Sequence, residues 1–500
     1  MKHVPIIAFC LIYITICLIT YKQFPITADE EYRYVKGKEL VNFYQNKNAL
    51  DYSMANSTDP LESYAYTGFL NIINPKFKYE KFHLENMIAA LPIFIATYFL
   101  IYAHSKKTKY AILGPVILLF TPSFSGLIPT SVNDVPGATA LMISVLLIYL
   151  FKDKKTTAWK LVILSGSFAI TQTTRISGLM IYPIYLLFTI YYQTFKSGEV
   201  KIKGVIKILI EQLPNLIIIF CIANFLMILT WPFIGLNYIR NMYYILTLTT
   251  HYTIWNKVIL FFGEFISPQQ RPWYYLPTYI LLTTPIYILI LYFSCFYTIK
   301  KFWKNSLLIL LNIVIVVAIT LYLITEPVIY NGLRHFLFLI PLITICAVIK
   351  IIEILEVKES RIKKVLVAGI VTGFILVVIT IVKLHPYEYA YFNEATGGIK
   401  GANNNFETEY WGASYKEASE WVIKYAQVNK IRNLKVYPCN VSYAVAYYSK
   451  FKYEVVNKST EADLILCDYQ NDMQRGYTDP IIHTISREGT NLNLIRKVVK

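Results

Sequence analysis

Three consecutive acidic residues, Asp29, Glu30 and Glu31, follow the first long apolar stretch of the chain. A carboxylate held at the surface of a lipid bilayer could deprotonate a hydroxyl or amine group, which is general-base chemistry. The structural alternative is the start of a helix, since Thr27 or Asp29 would serve as its N-cap and acidic residues are favoured in a first turn. The acidic run is therefore a candidate catalytic site with an equally simple structural explanation.

A further carboxylate, Asp134, lies in a short connection between two later apolar stretches. Pro129, Pro136 and Gly137 surround it, so we expect an irregular backbone there. A turn capped by the aspartate is the structural alternative. If this connection lies on the same side of a membrane as Asp29, the two carboxylates could act on one substrate.

Cations are rare in the connections that carry these acids, which makes each of them a candidate. Arg175 lies between two apolar stretches, and Arg334 and His335 precede another. An isolated arginine can simply extend its side chain to the membrane interface. A charged residue in or beside a membrane span is nevertheless a candidate functional residue, because burying its charge in lipid is costly. Because a guanidinium binds phosphate through two parallel hydrogen bonds, the three residues together could neutralise a lipid-linked phosphate. Weaker candidates for the same role are His83, Arg240 and Arg271.

The elements that must position these residues are membrane-spanning helices. The chain has 500 residues, of which 55% are hydrophobic and 16% aromatic, and its mean hydropathy is +0.44. Apolar runs of about 18 residues or more recur, each long enough to cross about 30 Å of hydrocarbon. We predict an all-α polytopic bundle of about eleven spans. They lie roughly at 4–22, 87–104, 110–128, 137–151, 159–174, 177–193, 208–232, 276–299, 306–325, 336–352 and 365–383.

Lysines mark one side of this bundle. They cluster in alternate connections, near residues 106–109, 152–160, 196–207, 300–304 and 350–364. The positive-inside rule places these loops and the N-terminus in the cytoplasm, so an odd number of spans leaves the C-terminus outside. Most of the net charge of +17 then faces the inner leaflet of a cell membrane. The charge is thus explained without a nucleic-acid partner.

Three segments are predicted to lie outside the bilayer on the opposite face. They are the loops 23–86 and 232–275 and the tail 385–500. The tail alternates helix-like stretches (415–426 and 441–450) with short apolar strands (434–437, 453–456 and 464–467), which predicts a small α/β domain after a membrane domain of residues 1–384. The seven cysteines include no Cys-x-x-Cys pair that would suggest a metal site. Cys439 and Cys467 could form a disulfide or remain separate buried thiols.

Taken in order, these motifs resemble the dolichyl-phosphate-mannose protein mannosyltransferase family, and more broadly the integral-membrane glycosyltransferases of the C superfamily. The resemblance covers most of the membrane region. In the tail, residues 385–393 and 409–412 look like the stretch that follows the last span in bacterial members. The motifs that carry it in the membrane region are Asp29-Glu30, His83-x-x-Asn86, Asn133-Asp134-Val135-Pro136, Arg175 and Tyr330-Asn331-Gly332-Leu333-Arg334-His335.

The resemblance implies an enzyme that transfers a sugar, with inversion, from a polyprenyl-phosphate donor at the outer face of the membrane. It implies that Asp29 is the catalytic base with Glu30 beside it, and that Asp134 is a second active-site carboxylate. Arg175, Arg334 and His335 would hold the donor phosphate. We expect no obligatory metal, although some superfamily members use a divalent cation.

This chain departs from the eukaryotic enzymes, because it lacks a large domain inserted between the later spans and carries the C-terminal α/β domain instead. The acceptor is therefore open between protein, lipid and glycan. A transporter or flippase of lipid-linked sugars is the main alternative, although transporters usually keep their polar groups near the bilayer midplane. A polysaccharide polymerase or ligase would use similar chemistry at the same face.

Overall fold

The computed structural model describes residues 2–46, 62–153, 156–197, 202–252, 257–297 and 299–499. Most of them are helical, which confirms the predicted fold class. The α-helices are Val4–Thr20, Glu30–Asn46, Ala65–Ile73, Tyr79–Ala89, Leu91–Ser105, Thr108–Ala111, Leu113–Leu119, Pro122–Ser125, Asp134–Phe151, Ala158–Thr174, Ile181–Ser197, Ile202–Thr230, Pro232–Leu236, Tyr238–Thr250, Tyr275–Thr283, Ile286–Ser294, Ile299–Lys304, Ser306–Thr325, Leu339–Glu356, Arg361–Leu384, Gly398–Ala402, Tyr415–Val428, Ser442–Ser449 and Tyr469–Arg475.

Within the described ranges, six helices are long and apolar enough to cross a membrane. The predicted apolar runs all fall on helices, but several of these helices are shorter than a full span, so the count of eleven is not confirmed. The first helix, for example, has 17 residues. The six are Tyr79–Ser105, Asp134–Phe151, Ile176–Lys196, Ile202–Thr230, Ser306–Thr325 and Arg361–Leu384.

Prolines break two of the predicted spans. Tyr275–Thr283 and Ile286–Ser294 meet at 111°, where Thr284 is extended immediately before Pro285. The predicted run 110–128 is likewise interrupted at Thr121, the extended residue before a proline. A proline disfavours helical geometry in the residue that precedes it, so both breaks follow from local sequence.

Burial separates the centre of the bundle from its edge. The helix Leu339–Glu356 buries most of its side chains and lies at the centre. By contrast, Arg361–Leu384 buries only Val377 and Leu384 among its 24 residues, and its other apolar side chains are half-buried or exposed. An apolar helix surface of this kind is stable only where lipid covers it. The described helices are therefore those of an integral membrane protein.

The C-terminal region contains a five-stranded mixed sheet. Its strands are β3 (Lys435–Pro438), β4 (Glu454–Val455), β5 (Leu464–Asp468), β6 (Ile481–Arg487) and β7 (Thr490–Lys497), in the spatial order β4-β3-β5-β7-β6. The first three are parallel to one another, and the β6–β7 hairpin adds antiparallel strands. Earlier in the chain, β1 (Ile259–Phe261) and β2 (Glu264–Ile266) form a separate antiparallel hairpin. The predicted α/β character of the tail is confirmed, but the β6–β7 hairpin was not foreseen. The boundary at residue 384 remains a prediction.

A disulfide joins the ends of two neighbouring strands of this sheet. Cys439 follows β3 and Cys467 lies in β5, and the two are bonded. This decides between the two states that the sequence leaves open for these thiols.

The C-terminal region also holds the chain segment that leads to the acidic run. The Ala28 amide donates to the Trp411 carbonyl (3.0 Å), and the amide of Ile26 donates to the Tyr448 hydroxyl (2.7 Å). Tyr443 donates to the carbonyl of Thr27. Because these bonds go to main-chain groups, they fix the backbone just before Asp29 independently of the side chains there.

Candidate functional site

Asp29 and Arg334 form the centre of the candidate site. Their carboxylate and guanidinium lie 2.5 Å apart although 305 residues separate them in the chain. Arg334 is 4% exposed and lies between the rings of Tyr330 and Trp411, at 5.0 and 5.2 Å from their centroids. Cation–π contacts of this kind fix the plane of the guanidinium. The arginine is thus held in place by three different parts of the chain.

A second ion pair joins Asp134 to Arg175. Asp134 is the first residue of its helix, where a carboxylate is favoured by the helix dipole, and the Ser131 hydroxyl donates to it at 3.0 Å. Arg175 is the extended residue that ends the helix Ala158–Thr174. The structure therefore pairs the two predicted residues with each other.

Two residues of the site were missed at the sequence level. Arg33 lies one helical turn after Asp29 and forms an ion pair with Glu62, which also accepts a hydrogen bond from Asn133 (3.2 Å). The i,i+4 spacing between Asp29 and Arg33 was the available signal. Glu62 offered none, because it lies in a polar loop with no periodic pattern.

The arginines determine the protonation of their neighbours. Burial would raise the pKa of Asp29, but the charges of Arg334 and Arg33 and the hydrogen bond from Arg334 hold that pKa below its usual value. Burial, followed by the charges of Arg175 and Arg334, lowers the pKa of His335 well below its ordinary range. His335 was predicted as a third cation. Here it is a neutral imidazole, which can still donate or accept a hydrogen bond.

Glu30 points away from Asp29, although the two residues are adjacent. It is completely buried; its Oε1 accepts hydrogen bonds from the amide (2.8 Å) and hydroxyl (3.0 Å) of Thr27. Its Oε2 lies 2.8 Å from Nε2 of His83. The structure therefore assembles Glu30 and His83 into a buried group at the start of the helix, where Glu30 accepts hydrogen bonds from Thr27 as the glutamate of a capping box does.

The two remaining candidates lie apart from the central ion pairs. Arg240 is exposed on the helix Tyr238–Thr250. Arg271 lies over the ring of Tyr322 (5.3 Å) and lines a separate cavity with Trp273. Arg271 contributes to the site only through its charge, which helps to lower the pKa of His335.

Two clefts lie on either side of Arg334. The first, which we call the helix cleft, lies among the ends of the bundle helices and is lined by apolar groups such as Leu141, Met180 and Phe338, together with Asp134, Arg175, Arg334 and His335. The second, the polar cleft, lies between the bundle and the C-terminal region. It is lined by Asp29, Arg334, Glu407, Glu409, Trp411 and Asp468.

Two arginines that line the helix cleft have unused hydrogen-bond donors. The Nε atoms of Arg175 and Arg334 are buried and find no hydrogen-bond partner among the residues that the structure describes. Buried donors are usually satisfied, and a phosphate oxygen would satisfy both. Across the same described ranges, no group of three or more His, Cys, Asp or Glu side chains is placed to hold a metal ion.

The chain matches no protein-family model, and no curated protein matches it. It is similar to the solved structure of ArnT from Cupriavidus metallidurans in the apo state, with 10% identity, 98% of both chains covered and a TM-score of 0.49. The same protein bound to undecaprenyl phosphate gives 9% identity, 98% of both chains and a TM-score of 0.46. The apo oligosaccharyltransferase of Archaeoglobus fulgidus gives 11% identity, 92% of this chain, 65% of that chain and a TM-score of 0.44. Likenesses of this degree carry no argument about activity, which rests on the site itself.

Proposed function

We propose that this protein is an inverting membrane glycosyltransferase that moves a sugar from a polyprenyl-phosphate donor to an acceptor at the outer face of the membrane. The observation that carries the proposal is the position of Arg334. It lines both clefts, contacts the carboxylate of Asp29, and has a buried donor to spare. A phosphate on one side and a base on the other are what sugar transfer from a lipid phosphate requires.

The helix cleft would take the donor phosphate. Arg175 and Arg334 offer two cations and two unused donors there, and the neutral ring of His335 adds a hydrogen-bonding group. The apolar lining leads into the bundle, where a polyprenyl chain would find hydrocarbon-like surroundings. Asp134 would act by holding Arg175, so we assign it a positioning role.

The reaction then needs no general acid. The bond between the anomeric carbon and the phosphate oxygen breaks, and its electron pair remains on the phosphate, where the arginines stabilise the added charge. The acceptor oxygen or nitrogen forms the new bond from the opposite face of the sugar and gives its proton to Asp29. When the phosphate draws the positive charge of Arg334 towards itself, the pKa of Asp29 rises and its carboxylate becomes a stronger base.

The outer location is supported by the disulfide and by the lysines. Cys439 and Cys467 belong to the region that forms the polar cleft, and disulfides persist in oxidising compartments outside the cytoplasm. The lysine-rich connections favour the cytoplasm for the opposite side. A transporter remains the alternative, but the ion pairs Asp29–Arg334 and Asp134–Arg175 lie together at one end of the bundle helices instead of along a path through them.

Donor turnover tests the proposal. Purified protein in lipid nanodiscs would be incubated with a panel of radiolabelled undecaprenyl-phosphate sugars, and release of undecaprenyl phosphate would be measured with and without membrane extract as acceptor. We expect at least one donor to be consumed, by transfer or by slow hydrolysis. Consumption of none of the donors would contradict the proposal, and movement of one of them across vesicle membranes would then favour a flippase.

A further inference from the structure

The polar cleft differs in chemistry from the helix cleft. Besides Asp29, its lining includes the carboxyl groups of Glu407, Glu409 and Asp468. Side-chain amides from Asn331 and Asn440 also line it, as do those of Gln470, Asn471 and Gln474. Such a mixture of carboxyl and amide groups offers many hydrogen bonds of both kinds within one small space.

Five residues of this lining have a buried side-chain polar atom without a hydrogen-bond partner in the described part of the chain: Asn331, Arg334, Glu409, Trp411 and Gln470. Two of these atoms are of opposite kinds. The side-chain oxygen of Asn331 and the indole nitrogen of Trp411 find no hydrogen-bond partner there, although these residues are only 5% and 1% exposed. One is an acceptor and the other a donor. A ligand that fills the cleft with hydroxyl groups would satisfy both, since a hydroxyl donates and accepts.

The described lining of the cleft holds two cations, Arg334 and Lys257, against the four carboxyl groups of Asp29, Glu407, Glu409 and Asp468. Arg334 is engaged by Asp29, and the ammonium group of Lys257 donates to the side-chain oxygen of Asn440 (3.2 Å). The three other carboxyl groups are at most 3% exposed. A phosphate or carboxylate placed among them would be repelled if they are ionised, and if they are neutral only the charge of Lys257 would offset it within the described lining.

Burial favours the protonated form of these carboxyl groups, above all of Glu407 and Glu409. Burial raises the pKa of both Glu407 and Glu409 to about 8, and burial also raises the pKa of Asp468. A protonated carboxyl group donates one hydrogen bond and accepts others. This again suits hydroxyl groups.

We propose that the polar cleft binds a neutral saccharide as the acceptor, and that one of its hydroxyl groups is presented there to Asp29. This inference rests on the proposed glycosyl transfer. The hydroxyl oxygen bonds to the anomeric carbon of the donor sugar, and its proton passes to the Asp29 carboxylate and then to solvent. The phosphate leaves with the electron pair of the broken bond. The product is a glycoside of a saccharide, not of a protein side chain or a phosphate.

Competition among three acceptors tests this inference. With any undecaprenyl-phosphate sugar that is consumed, the protein would be offered octyl α-mannoside, its 6-phosphate, and a peptide rich in serine and threonine. We expect the neutral octyl glycoside to be extended about tenfold or more better, in kcat/KM, than either of the others, since each missing or mismatched hydrogen bond costs about 0.5–1.5 kcal/mol. Preferential modification of the peptide or the phosphorylated glycoside overturns the inference, as does donor hydrolysis with none of the three extended. Failure of every donor to react would instead refute the proposed function.

Matched asparagine variants locate the binding to the cleft. Asn440→Ala removes a lining amide, whereas Asn457→Ala removes an exposed amide of the same region that lies outside the cleft. We expect the first to raise the KM for octyl α-mannoside about 3- to 10-fold, the loss of one hydrogen bond, with the KM for the donor unaltered. The second should leave both constants unaltered. Equal effects of the two variants would show that the acceptor does not bind in the cleft and would overturn the inference. An effect of Asn440→Ala on the donor KM alone would also overturn it, because the cleft would then hold the donor sugar.

Discussion

Asp29→Asn is the substitution that most directly separates catalysis from structure. Asparagine has the same size and keeps an oxygen towards Arg334, but it cannot accept a proton from the acceptor. Loss of a general base typically slows a reaction roughly 100- to 10,000-fold, or about 3–5 kcal/mol of activation free energy. The ion pair is partly accessible to solvent, because the Asp29 side chain is 25% exposed. We therefore expect the substitution to lower the free energy of unfolding by only about 1–3 kcal/mol, the cost of one charged hydrogen bond.

The neighbouring acid provides the control. Glu30→Gln removes a charge one residue away, but this side chain is buried against Thr27 and His83 and does not line either cleft. We expect it to lower the apparent melting temperature while reducing kcat less than tenfold. Both variants would be compared in detergent by thermal unfolding, by donor consumption and by binding of undecaprenyl phosphate.

Three results would refute this reasoning. Full transfer activity in Asp29→Asn would exclude the aspartate as the base. Equal loss of activity in both variants would mean that the acidic run acts through structure alone. Loss of undecaprenyl phosphate binding in Asp29→Asn would assign the residue to positioning Arg334, because an arginine released from its carboxylate should bind phosphate at least as well as before.

Other outcomes follow from the same geometry. Arg175→Gln should lower kcat/KM for the donor roughly 10- to 150-fold, the worth of a charged hydrogen bond of about 1.5–3 kcal/mol, and Arg175→Lys should recover part of it; wild-type donor kinetics in the glutamine variant would contradict the phosphate assignment. Replacing Cys439 and Cys467 by serine removes a cross-link between positions 28 residues apart and should destabilise the C-terminal region by about 3–4 kcal/mol, detected as earlier proteolysis of that region. Because the pKa values of Glu407 and Glu409 are raised to about 8, the folded state holds protons that the unfolded state releases above about pH 4.5. The free energy of unfolding should therefore fall as the pH rises from about 5 to 8. Glutamine at both positions should make the melting temperature less dependent on pH over this range. An alkaline phosphatase fused to the C-terminus should be active and a green fluorescent protein fused there should be dark, whereas the reverse would invert the predicted orientation.

The positions of the helices could be read from local sequence. A long apolar run is helical wherever it lies in a bilayer, because only internal hydrogen bonds satisfy its backbone there, and each predicted run contains one or more of the described helices. The length of each helix was harder to predict from the sequence. Pro285 divides one run into two helices that meet at 111°, and the angle depends on how each half packs.

The composition of the site was only partly predictable. Asp29, Asp134, Arg175 and Arg334 were selected from the sequence because charges are rare beside apolar runs, and the structure brings all four together. Arg33 and Glu62 lie in polar segments, where charged residues are common and carry no such signal. The acids of the polar cleft were missed for the same reason, since an acidic residue in a soluble tail is ordinary until its burial is known.

The sequence by itself determined that this is a helical membrane protein with an α/β region in its C-terminal part, because hydropathy acts locally on each segment. Only the tertiary structure decided which acid lies beside Arg334 in the polar cleft. Asp29 and Glu30 are adjacent, but the helix begins at Glu30, so one side chain turns inward to cap it and the other remains beside an arginine 305 residues away. The meeting of two clefts at Arg334 is likewise a property of packing between distant segments, which no local pattern encodes.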